Sequence, residues 1–348
     1  MKTHAWVTTA ANQPLAPSFI ERRSVGPSDV SLEVLFSGIC HSDIHQARGE
    51  WGNSSYPMVP GHEIVGRVTA VGAKVTKFKV GDIAGVGCMV DSCRTCESCA
   101  AGHEQFCAKG CAFTYNSTEM DRKTPTYGGY STQLVVTEHF AVKVPAGMEL
   151  SGVAPLLCAG ITTYSPLREW GCKKGDRVGV LGLGGLGHMA VKLAAAMGAE
   201  VTVFSTSKGK QADATRLGAS HFALSNDARE MAKRHGQFDL LIDSISAEHD
   251  FDQYLRLLRP FGAMVLVGAP PKPIQVAAFS LIGNNRRLAG SSIGGIAATQ
   301  EMLDFCAAHK VVADVEVIAA KQINEAYERM LRNDVRYRFV IDGATLAA

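Results

Sequence analysis

The stretch DRVGVLGLGGLGHMAVKLAAAMGAEVTVFSTS, residues 176–207, determines the fold class. A short apolar strand leads into a glycine-rich turn, then into a segment with apolar residues at helical spacing, and then into a second strand. Downstream, FDLLIDSIS, AMVLVGAP and RLAGSSIG are typical of further strands, and FDQYLRLLRP is typical of a helix. Strands that alternate with helices predict an α/β protein with a doubly wound parallel sheet.

The turn itself has the spacing of a dinucleotide-binding loop. Gly182, Gly184 and Gly187 form G-x-G-x-x-G between a predicted strand and a predicted helix. Such glycines permit a tight turn, admit the pyrophosphate to the backbone and allow the helix to pack on the strand. The candidate phosphate-binding residues are Gly182, Leu183, Gly184, Gly185, Leu186 and Gly187.

The end of the second strand indicates which dinucleotide binds. An NAD enzyme usually carries Asp or Glu there, to accept hydrogen bonds from the ribose 2′-hydroxyl. Here the strand is followed by hydroxyls and lysines with no carboxylate, at Ser205, Thr206, Ser207, Lys208 and Lys210. This composition favours the 2′-phosphate of NADP(H); an ordinary solvated turn is the alternative interpretation.

Ten cysteines suggest metal. The amino terminus, MKTHAWVTTAANQPLAP, lacks the apolar core of a secretion signal, so we expect a cytoplasmic, reducing location in which disulfides are rare. Cys93, Cys96, Cys99 and Cys107 have the spacing of a closed four-thiolate zinc site that holds structure. An iron–sulfur cluster and unliganded thiols are the alternatives, and ferredoxin runs end differently. The cysteines interpreted as ordinary buried residues are Cys88, Cys111, Cys172 and Cys306.

Three further segments offer ligands for a second metal site: GICHSDIHQ with Cys40, PGHEIVG with His62, and LLCAGITTYSPL with Cys158. Each alone has an ordinary interpretation, as a buried cysteine or a histidine in a turn. Together with GHE-x2-G-x5-G-x2-V over residues 61–75, they resemble the zinc-dependent medium-chain alcohol dehydrogenases along essentially the whole chain. The resemblance implies that Cys40, His62 and Cys158 hold a catalytic zinc, with the fourth position open to water, substrate oxygen or Glu63.

Several stretches resemble the cinnamyl alcohol dehydrogenase branch of that family. They are C-H-S-D-x-H at 40–45, GLGGLGHMAVK at 182–192, GSSIGG at 290–295 and NDVRYRFVID at 333–342. The β-rich first 150 residues and the final segment then form a GroES-like catalytic domain, residues 1–154 with 297–348, around a Rossmann domain, residues 155–296. The branch implies two zinc ions, NADP(H), a homodimer and reduction of aldehydes to primary alcohols.

The resemblance also places individual side chains. Ser42 would hydrogen-bond the alkoxide and pass a proton through the nicotinamide ribose hydroxyl to His45, while Asp43 orients His62. Glu63 is either a transient zinc ligand or a nearby acid, and Trp51 is either a pocket wall or part of a surface turn. Departures from the plant enzymes, such as Ser42 in place of Thr, favour a broad aliphatic and aromatic aldehyde range. Further cofactor contacts are expected at His41, Ser42, Thr162, Ser244, Gly268, Ser291, Ser292, Ile293 and Arg336.

Charge and hydropathy exclude other functions. The net charge is +2, and the cysteine-rich segment holds one Arg among three carboxylates, so a nucleic-acid surface is not expected. No apolar run approaches the roughly 18 residues of a membrane span. The alternative of another class is a non-catalytic redox sensor that binds zinc and NADPH on the same fold. Such a sensor would be expected to lack part of the set Cys40, Ser42, His62 and Cys158.

Overall fold

The computed structural model describes residues 1–347, which divide into two compact units. The first contains Met1–Cys158 together with the chain from Gly294 onward, and the second contains Ala159–Ile293. The chain therefore leaves the first unit once and returns to it. The sequence analysis predicted these two domain boundaries after residues 154 and 296.

The first unit is built on a seven-stranded sheet in the order β11-β5-β4-β3-β19-β18, with β10 also paired to β3. Strand β19 pairs antiparallel with β3, so that Val340 lies opposite Gly38, two residues before Cys40. The final segment thus completes the sheet next to a predicted ligand. The strands are β1 Lys2–Val7, β2 Ala16–Glu21, β3 Asp29–Gly38, β4 Ile64–Val71, β5 Ile83–Val86, β6 Met89–Asp91, β7 Ala112–Phe113, β8 Ser117–Thr118, β9 Pro125–Thr126, β10 Gln133–Thr137, β11 Val142–Lys143, β18 Val315–Ile318 and β19 Arg338–Asp342.

The helices of this unit are short except near the carboxyl end. They are α1 His41–Ala47, α2 Glu97–Ala100, α3 Leu150–Val153, α10 Ile296–His309 and α11 Ile323–Leu331. Within residues 1–347 no single helix is long and apolar enough to cross a membrane, although Leu150–Leu157 and Ala159–Glu169 pass that test of length and composition as a pair.

The second unit confirms the predicted doubly wound fold. Its six strands are all parallel, in the order β14-β13-β12-β15-β16-β17. The order reverses between β12 and β15, the place where open α/β sheets bind ligands at the strands' carboxyl ends. The elements are β12 Arg177–Leu181, β13 Glu200–Ser205, β14 His221–Leu224, β15 Phe238–Asp243, β16 Leu258–Leu266 and β17 Arg287–Gly290, with α4 Ala159–Glu169, α5 Gly187–Ala196, α6 Gln211–Arg216, α7 Ala228–Ala232, α8 Phe251–Leu255 and α9 Ala278–Ile282.

One element prediction is partly wrong. The segment 251–260 is helical only over Phe251–Leu255, and strand β16 begins at Leu258. Pro260 has no backbone donor and disfavours helical geometry in the residue before it. Leu257 and Leu258 are fully buried in the core beside the sheet, so their burial favours the strand over a longer helix.

Candidate active site

Four predicted ligands meet in the first unit. One donor atom from each of Cys40, His62, Glu63 and Cys158 lies within 4.8 Å of all the others. Cys40 caps the amino end of α1, His62 and Glu63 directly precede β4, and Cys158 follows a short 3-10 turn, Ala154–Leu157. Residues far apart in the chain are therefore brought together by the ends of β3 and β4.

The donor set suits zinc. Two thiols and an imidazole are typical ligands of catalytic zinc. Glu63 Oε2 is buried and has no hydrogen-bond partner in residues 1–347, as expected of an oxygen that faces a cation. The hydrogen bond with the Cys158 thiol holds the pKa of Cys40 well below its ordinary value, against the opposing effect of burial. A thiolate, the form that binds metal, is therefore favoured at Cys40.

The Asp43 carboxylate contacts two of these ligands, His62 and Cys40. Its completely buried carboxylate lies 3.0 Å from His62 Nδ1 through Oδ1 and accepts from the Cys40 backbone N–H at 2.9 Å through Oδ2. Because Nδ1 is engaged in this contact, Nε2 of His62 is the nitrogen left for a metal. The Tyr115 ring stacks on His62 with centroids 5.8 Å apart and limits rotation of the imidazole.

Glu63 forms an ion pair with Arg338, which the sequence analysis did not single out. Both side chains are almost completely buried, and Arg338 Nη2 donates to Glu63 Oε1. Burial raises the pKa of Glu63 to about 7, although the Arg338 charge opposes the shift. The available signal was an arginine directly before the apolar run FVI, but nothing local identified its partner.

The residues predicted to move protons form a second group on α1. Ser42 Oγ lies 3.7 Å from Cys40 Sγ. His45 Nδ1 lies 2.5 Å from Glu50 Oε2, and its ring stacks on Trp51 with centroids 5.2 Å apart. Trp51 is half exposed, and the His41 ring lies 6.4 Å from that of His45. The sequence analysis did not identify Glu50 as a partner of His45. The available signal was an acidic residue only five positions after the histidine.

The four clustered cysteines also converge. Donor sulfurs of Cys93, Cys96, Cys99 and Cys107 all lie within 4.8 Å of one another. Backbone N–H groups point at the sulfurs: Cys96 N donates to Cys93 Sγ, and Cys93 N donates to Cys107 Sγ, each at 3.4 Å. Donation from Thr95 and Cys96 lowers the pKa of Cys93 to about 5. The arrangement fits a closed tetrathiolate metal site.

In the second unit, the glycine-rich turn leaves room where a dinucleotide needs it. Gly182 has a positive φ of 84°, which favours glycine at the tight turn. A Cβ on Gly184 would meet nothing within 4 Å, whereas one on Gly187 would come 2.2 Å from Gly182 O. The space beside Gly184 is therefore open for a ligand, and Gly187 allows α5 to pack closely against the turn.

The turn after β13 is tied to this loop. Ser207 N donates to Ser205 Oγ at 3.2 Å, and Lys210 Nζ donates to Leu183 O at 2.8 Å. Thr206, Ser207 and Lys208 are exposed. The structure therefore places hydroxyls and two lysines at the end of β13, with Lys210 bound to the glycine-rich turn.

The remaining predicted cofactor residues are divided between the units. Ser244 Oγ donates to Leu181 O at 2.8 Å, and Gly268 N donates to Asp243 O at 2.9 Å. Both residues therefore lie at the edge of the sheet formed by the carboxyl ends of its strands. Ser291, Ser292 and Ile293 directly follow β17, and Thr162 is buried on α4. Arg336 belongs to the first unit, where its backbone N–H donates to Glu316 Oε1 at 3.1 Å.

Comparison with known proteins identifies relatives over the full length. Residues 26–146 match the alcohol dehydrogenase GroES-like domain, and residues 185–308 match the zinc-binding dehydrogenase domain. The chain is 55% identical to NADP-dependent alcohol dehydrogenase C 1 of Mycolicibacterium smegmatis, over 98% of both chains. It is 54% identical to aldehyde reductase YahK of Escherichia coli, over 99% of both. A solved cinnamyl alcohol dehydrogenase of Sorghum bicolor is 49% identical, with a TM-score of 0.96 over 99% of this chain and 98% of that one.

Proposed function

The chain belongs to the zinc-binding alcohol dehydrogenase family, and we propose that it transfers hydride between NADP(H) and primary alcohols or aldehydes. The observation that carries this proposal is the convergence of Cys40, His62 and Cys158 in one buried set, with Glu63 among them. The relatives give no support to a non-catalytic redox sensor, and the set that a sensor would lack is complete.

Two zinc ions would be held by different sets. Cys40, His62 and Cys158 would hold the catalytic ion with a position left open, and the sulfurs of Cys93, Cys96, Cys99 and Cys107 would hold the structural one. When bound, the catalytic metal supplies a Lewis acid for the carbonyl oxygen, and NADPH supplies the hydride. Asp43 would accept the Nδ1 proton of His62, which leaves the lone pair of Nε2 for the metal, and Tyr115 covers one face of the imidazole.

The protein's own part in the chemistry is to supply a proton to the oxygen. Ser42 lies beside Cys40, so its hydroxyl can donate to an oxygen bound at that cluster. His45, whose side chain is partly exposed, would be the group that passes the proton between this cluster and solvent. The Glu50 carboxylate at Nδ1 fixes the ring orientation and directs Nε2 away from itself. Trp51 packs against the same ring and restricts its rotation.

The cofactor is NADP(H) in this proposal because of the turn after β13. Its hydroxyls and lysines can bind a 2′-phosphate, and no carboxylate stands there to repel it. A like-charge contact at 4 Å would be unfavourable by roughly 4 kcal/mol at an effective dielectric of about 20. The name of the Mycolicibacterium smegmatis relative, an NADP-dependent enzyme, supports the same choice.

The substrate range we propose is broad, covering aliphatic and aromatic aldehydes. Relatives named as an aldehyde reductase and as a cinnamyl alcohol dehydrogenase are similarly close to this chain. Trp51 offers a flat apolar surface beside His45, and it is 51% exposed rather than enclosed. An open aromatic wall of this kind suits several benzylic or allylic groups without selecting one.

We also propose a homodimer in a reducing compartment such as the cytoplasm. Strand β17 is an edge strand, and exposed apolar side chains lie in the same region, with Phe261, Phe279 and Ile282 63%, 80% and 65% exposed. A second copy could pair with this edge and cover these side chains in a self-complementary contact. Thiolate ligands at two metal sites require cysteines that stay reduced.

A cofactor-consumption screen tests the proposed activity. Zinc-loaded protein is mixed with a panel of aliphatic and aromatic aldehydes, with NADPH or NADH, before and after chelation. We expect NADPH to be consumed with several aldehydes, NADH to be consumed more slowly, and activity to disappear with the metal. Two bound zinc ions without reduction of any aldehyde would instead favour the redox sensor.

A further inference from the structure

The carboxylate of Asp43 has a fourth contact that the zinc site alone does not require. Besides His62 and the Cys40 backbone, Asp43 Oδ1 accepts from Gly61 N at 3.1 Å, and Oδ2 accepts from Tyr130 Oη at 3.1 Å. The first three contacts come from residues 40–62, whereas Tyr130 is 87 residues distant in sequence. Two distant parts of the first unit therefore meet at one buried carboxylate.

Tyr130 is held firmly where it makes this contact. Its side chain is completely buried, and its backbone N–H donates to Pro60 O at 3.0 Å. Gly129 N donates to Gly61 O at 2.9 Å, and a Cβ on Gly61 would come 2.7 Å from Tyr130 Cδ1. The segments 60–62 and 128–130 thus pack backbone to backbone. The phenol has little freedom to leave the carboxylate.

A further phenol continues the chain of hydrogen bonds. Tyr327 Oη, on α11, donates to Tyr130 Oη at 3.5 Å, and Tyr327 is also buried. This contact is longer than the one between Tyr130 and Asp43 and involves two neutral groups. Hydrogen bonds to charged groups are roughly twice as strong as those between neutral groups. Of these two phenols, Tyr130 is therefore expected to matter more to Asp43.

We propose that Tyr130 is a positioning residue of the metal site, acting through Asp43 on His62 and Cys40. Without the Tyr130 phenol, Asp43 Oδ2 loses one of its hydrogen-bond donors, and the carboxylate is held less firmly in its buried site. This loosening would weaken the hold on His62 Nδ1 and on the start of α1 together. This inference rests on one part of the proposed function, namely that Cys40, His62 and Cys158 bind zinc.

The test compares zinc release from Tyr130→Phe with release from Tyr327→Phe, each removing one buried hydroxyl. Fully loaded protein is mixed with an excess of a chromogenic zinc chelator, and a Cys93→Ser variant identifies the phase belonging to the four-cysteine site. For Tyr130→Phe we expect the other phase to accelerate about 10-fold or more, the range for groups that orient metal ligands. The four-cysteine phase should stay unchanged, and Tyr327→Phe should release zinc at nearly the wild-type rate.

Two results would overturn the proposal: an unchanged release rate in Tyr130→Phe, or equal acceleration of both phases, which indicates general loosening. A second measurement keeps the test decisive if Tyr130→Phe is poorly stable. If Tyr130 acts through Asp43, adding Tyr130→Phe to an Asp43→Asn variant should change the zinc release rate by less than about 2-fold. Wild-type protein that binds zinc only at the four-cysteine site would instead contradict the proposed function. The release assay uses no aldehyde, so its result does not depend on the proposed activity.

Discussion

The buried ion pair between Glu63 and Arg338 should contribute to the stability of the fold. Arg338 Nη2 meets Glu63 Oε1 at a place where the two side chains are 4% and 0% exposed. Arg338→Leu replaces the guanidinium with an apolar side chain and leaves the buried Glu63 carboxyl without its partner. Breaking one side of a buried pair typically destabilises a protein by about 3–5 kcal/mol. We expect the lower end of this range for zinc-loaded protein, because the metal cation partly replaces the lost charge.

Urea unfolding of zinc-loaded protein measures this loss. Arg332→Leu is the matched control, because Arg332 is exposed, and it should change the unfolding free energy by less than about 0.5 kcal/mol. The double variant Arg338→Leu with Glu63→Gln should cost at least about 1 kcal/mol less than the sum of the single changes, because no buried carboxyl is then left without its partner. A loss for Arg338→Leu no larger than that of the control would refute the assigned ion pair.

Four further substitutions test separate parts of the molecule. Ser42→Ala should lower kcat by about 10²- to 10⁴-fold while bound zinc and NADPH affinity are retained; full turnover would contradict its role as proton donor. Cys93→Ser should lose one zinc ion per chain in elemental analysis, with lower stability or a broken dimer, and a stable, fully active variant with two zinc ions would refute the four-thiolate site. Thr206→Asp should lower kcat/KM for NADPH relative to NADH by roughly 100-fold, less than a full like-charge contact because Thr206 is exposed to solvent; an unchanged ratio would contradict the assigned 2′-phosphate site. Burial disfavours a charged His249, but its hydrogen bond to Asp243 at 3.0 Å raises its pKa overall. A raised pKa stabilises the fold below the unfolded value, so the advantage of wild type over His249→Gln should be greatest below about pH 6.5 and should shrink as pH rises through the folded pKa; a difference that grows with pH would be inconsistent with this pairing.

The sequence predicted the parts of the molecule that depend on local spacing. The alternation of strands and helices predicted the parallel sheet, and the doubly wound order confirms it. Cysteine spacing within 93–107 predicted a cluster because close thiols can reach one ion. The partly wrong prediction, residues 251–260, had apolar residues compatible with helix or strand, and burial in the sheet decided between them.

Partners supplied by distant strands could not be predicted in this way. Tyr130 and Arg338 contact the ligand region only because β10, β19 and their connections bring residues 130 and 338 to the ends of β3 and β4. Neither residue belongs to a local pattern that names its partner. Both contacts depend on side-chain packing, which a single sequence does not specify.

The return of the chain to the first unit has a consequence for the metal site. Arg338 pairs with Glu63, and Tyr327 reaches Asp43 through Tyr130, so residues near the carboxyl end complete the surroundings of ligands near the amino end. Strand β19 holds Arg338 by pairing with β3. The site is therefore assembled only when both ends of the chain are folded together.

Isotope transfer tests directly whether this protein moves hydride from NADPH to an aldehyde. Zinc-loaded protein is incubated with benzaldehyde and NADPH that carries two deuterium atoms at C4, and the product is examined by mass spectrometry. We expect benzyl alcohol with one deuterium on its alcohol carbon, and none after the metal is removed. Alcohol formed without deuterium, or no alcohol from zinc-loaded protein with any aldehyde of the panel, would contradict the proposed hydride transfer.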